Sequence, residues 1–160
     1  MSDFFKKSDL NRKEAEKIVS DTLFNCDDGE LYLENLKNET IVLDDNKIKS
    51  SKYSTDLGYG LRAVTGEVIA YSHSNEISKN SLKLSSENLR STLKSKKGTY
   101  NYEIPKSNKK FYRDINPIEE KSLNNKLDIL KEVNNYVRSK GSIVKQVTAN
   151  FLGEHKEIEI

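Results

Sequence analysis

The sequence predicts an α+β fold: a helix, an antiparallel β-meander of four to five strands, a second helix, a linker, and then the helix and β-hairpin of an incomplete second domain. Three observations carry this. Apolar residues recur at three and four from Ala15 to Leu23, the period changes to two from Glu30 to Tyr71, and a stripe with helical spacing returns between Leu123 and Val137. The 160 residues are 34% hydrophobic and 32% charged, a lean balance for a packed domain. The alternation of Leu, Ile, Val and Tyr through residues 29–72 nonetheless supports a small core rather than disorder.

Asn11 stands three residues before Glu14, so each side chain can satisfy an exposed N–H of the other at a helix N-terminus. Ala15, Ile18, Val19, Thr22 and Leu23 then form one face of a helix over roughly residues 10–24, ended by Asp27–Asp28–Gly29. Leu31 and Leu33 alternate with Tyr32 and Glu34, Thr40–Leu43 leads into the turn Asp44–Asp45–Asn46, and Ile48 follows. Leu57, Tyr59 and Leu61 alternate next, so several short strands are the simplest account. Arg62–Val64 meets Val68–Tyr71 across Thr65–Gly66, read as a type I′ hairpin turn because Gly tolerates positive φ.

Ser78 offers an N-cap, and Leu82, Leu89 and Leu93 share one side of a helix to about Ser95. Residues 96–116 lose the periodicity and hold Lys96–Lys97–Gly98, Pro105 and Ser107–Lys110. Asn116–Pro117 reads as a helix start, and Leu123, Leu127, Leu130, Val133 and Val137 form a stripe that stops before Gly141. Ile143, Val147 and Phe151 begin a strand, Gly153–Glu154 reads as a turn, and Ile158 and Ile160 begin a returning strand with an open edge. The expected domains are therefore 1–98, a linker at 99–116, and the opening of a second domain at 117–160.

Whole functional classes are disfavoured. No apolar run approaches the ~20 residues of a bilayer span. Met1–Ser2–Asp3 leads into Phe4–Phe5–Lys6–Lys7 without an apolar leader core, so a cytoplasmic location is expected. Cys26, the one cysteine, cannot form an internal disulfide and sits in the polar run Asn25–Asp28, as a spectator thiol does. Lys and Arg number 27 against 25 Asp and Glu, far from the balance of a nucleic-acid binder. The stretch Lys79–Arg113 holds ten cations and two anions. It reads as a solvated helix face and linker, with nucleic-acid binding by a stand-alone module as the alternative; a further alternative for the chain as a whole is an adaptor that binds a partner subunit without catalysis.

No constellation of catalytic residues emerges. His73 and His155 are the two histidines, and neither is followed by a second His at metal-ligand spacing. Gly58–Tyr59–Gly60 lacks the third Gly and the following helix of a dinucleotide loop, so these glycines read as a bulge or a close backbone approach. Arg62 lies between Leu61 and Ala63, pointing either toward a carboxylate or peptide carbonyl or plainly outward. Ser72, Ser74 and Ser78 near His73 lack a nucleophile elbow.

The runs Glu30–Glu34, Val42–Lys49 and Gly58–Glu67 resemble the N-terminal region of the TldD/PmbA family. Ala70–Ser78, Pro117–Lys121, Leu127–Leu130 and Val144–Val147 continue the match over about residues 28–160, more closely to TldD than to PmbA, also called TldE. The block Gly-x-Gly-Leu-Arg-Ala-Val-x-Gly, residues 58–66, is its most specific part. The resemblance implies a zinc metallopeptidase, also known as a modulator of DNA gyrase, that cleaves unfolded peptides within a TldD–TldE heterodimer. The family's His-Glu-x-x-x-His helix and later Cys ligand match no position here. The expectation is a first domain and the opening of a second, without the protease domain. No cofactor is then expected in this chain, Zn belongs to the full-length family protein, and the chain is inactive alone. A PmbA/TldE-like subunit and an unfolded peptide are the implied partners, and Gly58, Gly60, Arg62 and Gly66 are the candidates for substrate access or pairing.

Overall fold

The computed structural model describes residues 4–6, 8–93 and 115–160. In chain order it contains α1 (Arg12–Leu23), β1 (Asp28–Asp44), β2 (Lys47–Thr65), β3 (Val68–Ser74), α2 (Lys79–Leu93), α3 (Leu123–Arg138) and β4 (Thr148–Glu159). The strands form a four-stranded antiparallel sheet in the order β3-β2-β1-β4. The α+β class and the antiparallel sheet agree with expectation, but the meander region supplies three strands rather than four to five. The fourth strand is β4 from the far end of the chain, because the expected short strands of the meander merge into long ones of 17 and 19 residues.

That merging has a tertiary cause. The polar stretch around Lys37 and Glu39 stays extended because Lys37 pairs with Glu119 at 3.0 Å and Glu39 with Lys126 at 2.5 Å. The turns also differ from the sequence reading. Asp45 and Asn46 have φ of 47° and 62°, both positive as a type I′ turn requires. Thr65 pairs with Val68, so the second turn is Gly66–Glu67, one residue later than expected. There Gly66 alone has positive φ, 60°, the pattern of a type II′ turn with Gly leading.

The chain divides into two compact units: residues 36–55 with 115–156, and the remaining described residues. The expected linker 99–116 lies outside the described residues except for positions 115 and 116. In the unit that holds α1 and α2, the capping box is formed, with Asn11 Oδ1 accepting from Glu14 N at 3.0 Å. α1 packs on α2, and α2 on β3. Leu33, Leu61, Ala63, Leu82 and Leu89 form the core with Phe4, Phe5 and Leu10. Hydroxyls fill what the lean composition leaves: Tyr59 Oη is 2.8 Å from Ser85 Oγ, Ser72 donates to Ser85 at 2.9 Å, and Thr22 is 2.6 Å from Ser86. Such bonds keep buried polar atoms from costing stability. Asp9 accepts from Lys79 N at 2.9 Å and so joins Ser78 in capping α2.

In the other unit, Ile41, Leu43, Leu130 and Ala149 form the core, flanked by Leu127 and Phe151. α3 begins at Leu123 with Ser122 as N-cap, not at Pro117. Asn116 instead closes a single turn, its side chain accepting from Ile118 N at 3.1 Å and its carbonyl from Glu119 N at 3.2 Å. The buried face of α3 is Lys126, Leu130 and Asn134, whereas Leu123 and Val133 of the expected stripe are 47% and 45% exposed. The β1–β2 tip offers acceptors that rotate the helix: Asn134 donates to Asn46 Oδ1 at 2.5 Å, and Arg138 pairs with Asp45.

The expected C-terminal hairpin is one strand. β4 runs without a turn through Gly153–Glu154. A Cβ at Gly153 would stand 3.2 Å from Ile118 Cγ1, so this glycine serves a close approach rather than a reversal. Asn35 donates to Glu157 at 3.0 Å and Arg12 pairs with Glu159, holding the end of β4 extended.

Candidate functional site

Side chains alternate across a strand, so Tyr59, Leu61, Ala63 and Thr65 of β2 are buried while Arg62 and Val64 take the opposite face. On that face the register sets Gly60 against His73, Arg62 against Tyr71 and Val64 against Ile69. Of the four sequence candidates, Gly60 and Arg62 thus meet on one surface. Gly58 and Gly66 act through the backbone instead. A Cβ at Gly58 would stand 2.7 Å from Ser74 O, and Gly66 makes the turn, donating its N–H to Asp27 at 2.6 Å.

Arg62 spans to β1. Its Nη2 donates to Asp28 at 2.6 Å and its Nε to Glu30 at 3.0 Å. Of the targets left open by the sequence, carboxylates of this chain are the ones occupied. The guanidinium's hydrogen bond holds the Asp28 carboxyl below the usual range, and the two carboxylates make Arg62 hold its proton more strongly. Tyr32 donates to Glu34 at 2.5 Å, which pushes its phenol up to about 12.

Gly60 makes room for an aromatic. A Cβ there would lie 2.6 Å from Tyr71 Oη and 3.0 Å from its ring, and Tyr71 stacks on His73 with centroids 5.8 Å apart. An aromatic laid over a glycine is a recurrent way to fill a gap in a sheet. Tyr71 and Ile69 are 64% and 65% exposed, and their strand β3 is an edge of the sheet. Among the described residues the arrangement offers a strand edge without a partner strand and with an aromatic pair on it, stiffened from behind by Arg62, Asp28 and Glu30. Tyr71 was missed in the sequence because a turn placed one residue early pairs Arg62 with Ile69 instead.

The residues present do not fit a metal. Cys26 is buried with Sγ 3.8 Å from Thr22 O, His73 lies against Tyr71, and His155 sits on β4. Among the described residues no group of three or more His, Cys, Asp or Glu could hold a metal ion. In the described part of the basic stretch, Lys79 pairs with Glu14 at 2.7 Å and Arg90 donates to Asp21 O at 2.5 Å. Residues 94–113 of that stretch lie outside the described residues. No helix of the described residues is long and apolar enough to cross a membrane.

Residues 29–95 match the family described as PmbA/TldA metallopeptidase domain 1. A Metalloprotease TldD homolog of Buchnera aphidicola from Acyrthosiphon pisum is 32% identical over 133 residues, 82% of this chain and 28% of the relative. The homolog from the Schizaphis graminum strain is 29% identical over 95% of this chain and 32% of its own length. That of Haemophilus influenzae is 28% identical over 85% and 29%. The chain thus spans about a third or less of these relatives, between 28% and 32%. Among solved structures, a protein described as a modulator of DNA gyrase from Bacteroides thetaiotaomicron superposes with a TM-score of 0.63 at 17% identity, over 94% of this chain and 39% of that one. One so described from Thermotoga maritima gives 0.56 at 14%, over 80% and 33%. At those identities the two structures speak for the fold, while the matched first domain, with the Gly58–Gly66 block inside it, and the related sequences along most of the chain place this protein in the PmbA/TldD family.

Proposed function

We propose that this chain is the N-terminal, non-catalytic portion of a TldD-like metallopeptidase subunit acting in the proteolysis of unfolded peptides, and that the edge of β3 gives the extended substrate access. The observation that supports this reading is the open edge bearing Tyr71 and Ile69 within the family-matched region. An edge strand carries a row of unpaired N–H and C=O groups, and an extended peptide satisfies them as an added strand. Such pairing reads main chain rather than side chains, which suits an unfolded substrate. Ile69 and Tyr71 supply apolar contact, and Arg62 acts as a positioning residue by tying β2 to β1 behind them.

In this reading the Zn²⁺ of the full-length family protein is held outside this chain, no hydrolytic step belongs to the residues described, and a PmbA/TldE-like subunit completes the enzyme. The test titrates the chain into a fluorescein-labelled unstructured peptide, and into the same peptide N-methylated at alternate amides, reading anisotropy. The unmodified peptide binds, N-methylation abolishes binding, and Tyr71→Ala weakens it roughly three- to tenfold. Equal binding of both peptides, or none, overturns the access role. Complex formation with a PmbA/TldE-like subunit without peptide binding would leave the chain as scaffold and pairing surface.

A further inference from the structure

The turn before β3 decides which of its backbone groups are free. Gly66–Glu67 is a two-residue turn, so Thr65 and Val68 are the pair that exchanges hydrogen bonds, and the exchange recurs at Ala63–Ala70, Leu61–Ser72 and Tyr59–Ser74. The N–H and C=O groups of Ile69, Tyr71 and His73 therefore point away from β2. Val68–Ser74 carries no Pro, no Lys and no residue of positive φ, the devices that blunt an edge. In a strand laid antiparallel along it, the residues opposite Ile69, Tyr71 and His73 turn their side chains to the face of these three. The residues between them turn theirs to the face of Ser72, which bonds to Ser85 of α2.

The two faces differ in charge. The segments 28–34, 58–67 and 68–76, which build this part of the sheet and its turn, hold five carboxylates, Asp28, Glu30, Glu34, Glu67 and Glu76, and one basic side chain, Arg62. Arg62 is already bonded to Asp28 and Glu30. Glu67 and Glu76 stand before and after β3 and make no ion pair among the described residues. Glu34 pushes the Tyr32 phenol up to about 12 and Tyr71 adds to the push, so the two phenols are near each other on the Tyr71 face. On α2, Lys79, Ser86 and Arg90 bond to α1, and the flank turned away from α1 shows the uncharged Leu84 and Asn88, with Leu84 57% exposed.

We propose that the β3 edge selects extended peptide segments with Lys or Arg at alternate positions, their cationic side chains lying over Tyr71 between Glu67 and Glu76, and the intervening small or apolar side chains lying against α2. This rests on reading β3 as the edge that admits substrate, and it adds the chemical class of segment admitted. An ammonium or guanidinium over a tyrosine ring is attracted by the ring, and the surrounding carboxylates add to that attraction. The chain as a whole carries a net charge of +2, so overall attraction does not favour a basic peptide and the preference is local to this face.

The test uses the full chain and fluorescein-labelled peptides of alternating Ser and Lys, Ser and Gln, or Ser and Glu, read by anisotropy. At low salt the Lys peptide binds about tenfold tighter than the Gln peptide and the Glu peptide binds weakest, and high salt narrows the Lys advantage to about twofold. Glu67→Lys combined with Glu76→Lys reverses the order of the Lys and Glu peptides. Tyr71→Leu reduces the Lys advantage, and Tyr71→Phe keeps it. Thermal melts check that the variants fold. Equal binding of the Lys and Gln peptides, an order unchanged in E67K/E76K, or a Lys advantage untouched by Tyr71→Leu overturns the selection while leaving β3 as an edge that takes peptide. A Lys peptide N-methylated at alternate amides that binds as tightly as the unmodified one, or no binding by either, overturns the edge reading and the selection with it.

Discussion

Lys126 Nζ lies 2.5 Å from Glu39 Oε2 and 2.6 Å from the carbonyl oxygen of Ile118, with its side chain 3% exposed. The Phe151 ring stands 5.6 Å away, so an ammonium occupies a helix face where an apolar residue is usual. A buried charge is tolerated because it is paired and hydrogen-bonded. Glu39→Ala leaves that charge without its counterion and is expected to lower stability by about 3–5 kcal/mol, read by urea unfolding. Replacing both partners, Glu39→Leu with Lys126→Met, recovers most of the loss. A double variant as unstable as the single one contradicts the account.

Gly58 and Gly60 separate by what a side chain meets. At Gly58 an added Cβ strikes the carbonyl oxygen of Ser74, 2.7 Å away, and backbone must shift. At Gly60 it strikes the Tyr71 ring, which can swing aside. Gly58→Ala is therefore expected to cost about 1–3 kcal/mol. Gly60→Ala costs less but alters the near-ultraviolet circular dichroism as Tyr71 leaves its place against His73. Equal losses of stability at the two positions would count against this.

The acid limb of stability follows from four carboxylates. Asp28 is lowered by its hydrogen bond from Arg62, Glu14 by that from Lys79, Glu119 by that from Lys37, and Asp44 by those from Gln146 and Thr148. A folded pKa below the unfolded one adds stability that is present above the unfolded value and lost as pH falls through the folded one. Urea midpoints are expected to fall as pH drops below about 4, and Arg62→Gln to flatten that limb. An acid limb unchanged in Arg62→Gln argues against the Asp28 contribution.

Asp9 ties the N-terminal arm to α2. Its carboxylate accepts from Lys79 N, and Ser8 donates to Ile77 O at 2.5 Å beside it. Asp9→Ala is expected to cost about 1 kcal/mol by loss of the cap, and Asp9→Asn to retain most of it. Thermal unfolding of the two variants decides, and identical melting of Asp9→Ala and the unaltered chain removes the cap from the account.

What was legible in the sequence was local. The Asn11–Glu14 box and the Ser78 cap need no partner beyond their own turn, and both form as read. The unbroken course of β1 was hidden because the groups that hold Lys37 and Glu39 extended lie more than 80 residues away. α3 turns Lys126 and Asn134 inward for the same reason, since the acceptors at Glu39 and Asn46 cannot be seen in the helix's own pattern. At the candidate site the Gly58–Gly66 block was visible as composition. The partners of Arg62 depended on a register that one residue of turn placement decides.

The type I′ turn at Asp45–Asn46 has a consequence for the order in which the molecule can assemble. Asn46 receives its hydrogen bond from Asn134, 88 residues later, and Asp44 its bond from Gln146, 102 residues later. At ribosomal speeds of roughly 5–20 residues per second, the hairpin waits on the order of 5–20 s between its own emergence and that of the helix and strand that complete its core. Ile41 and Leu43, fully buried in the folded chain, share their core with Leu130 and Ala149 of that later helix and strand.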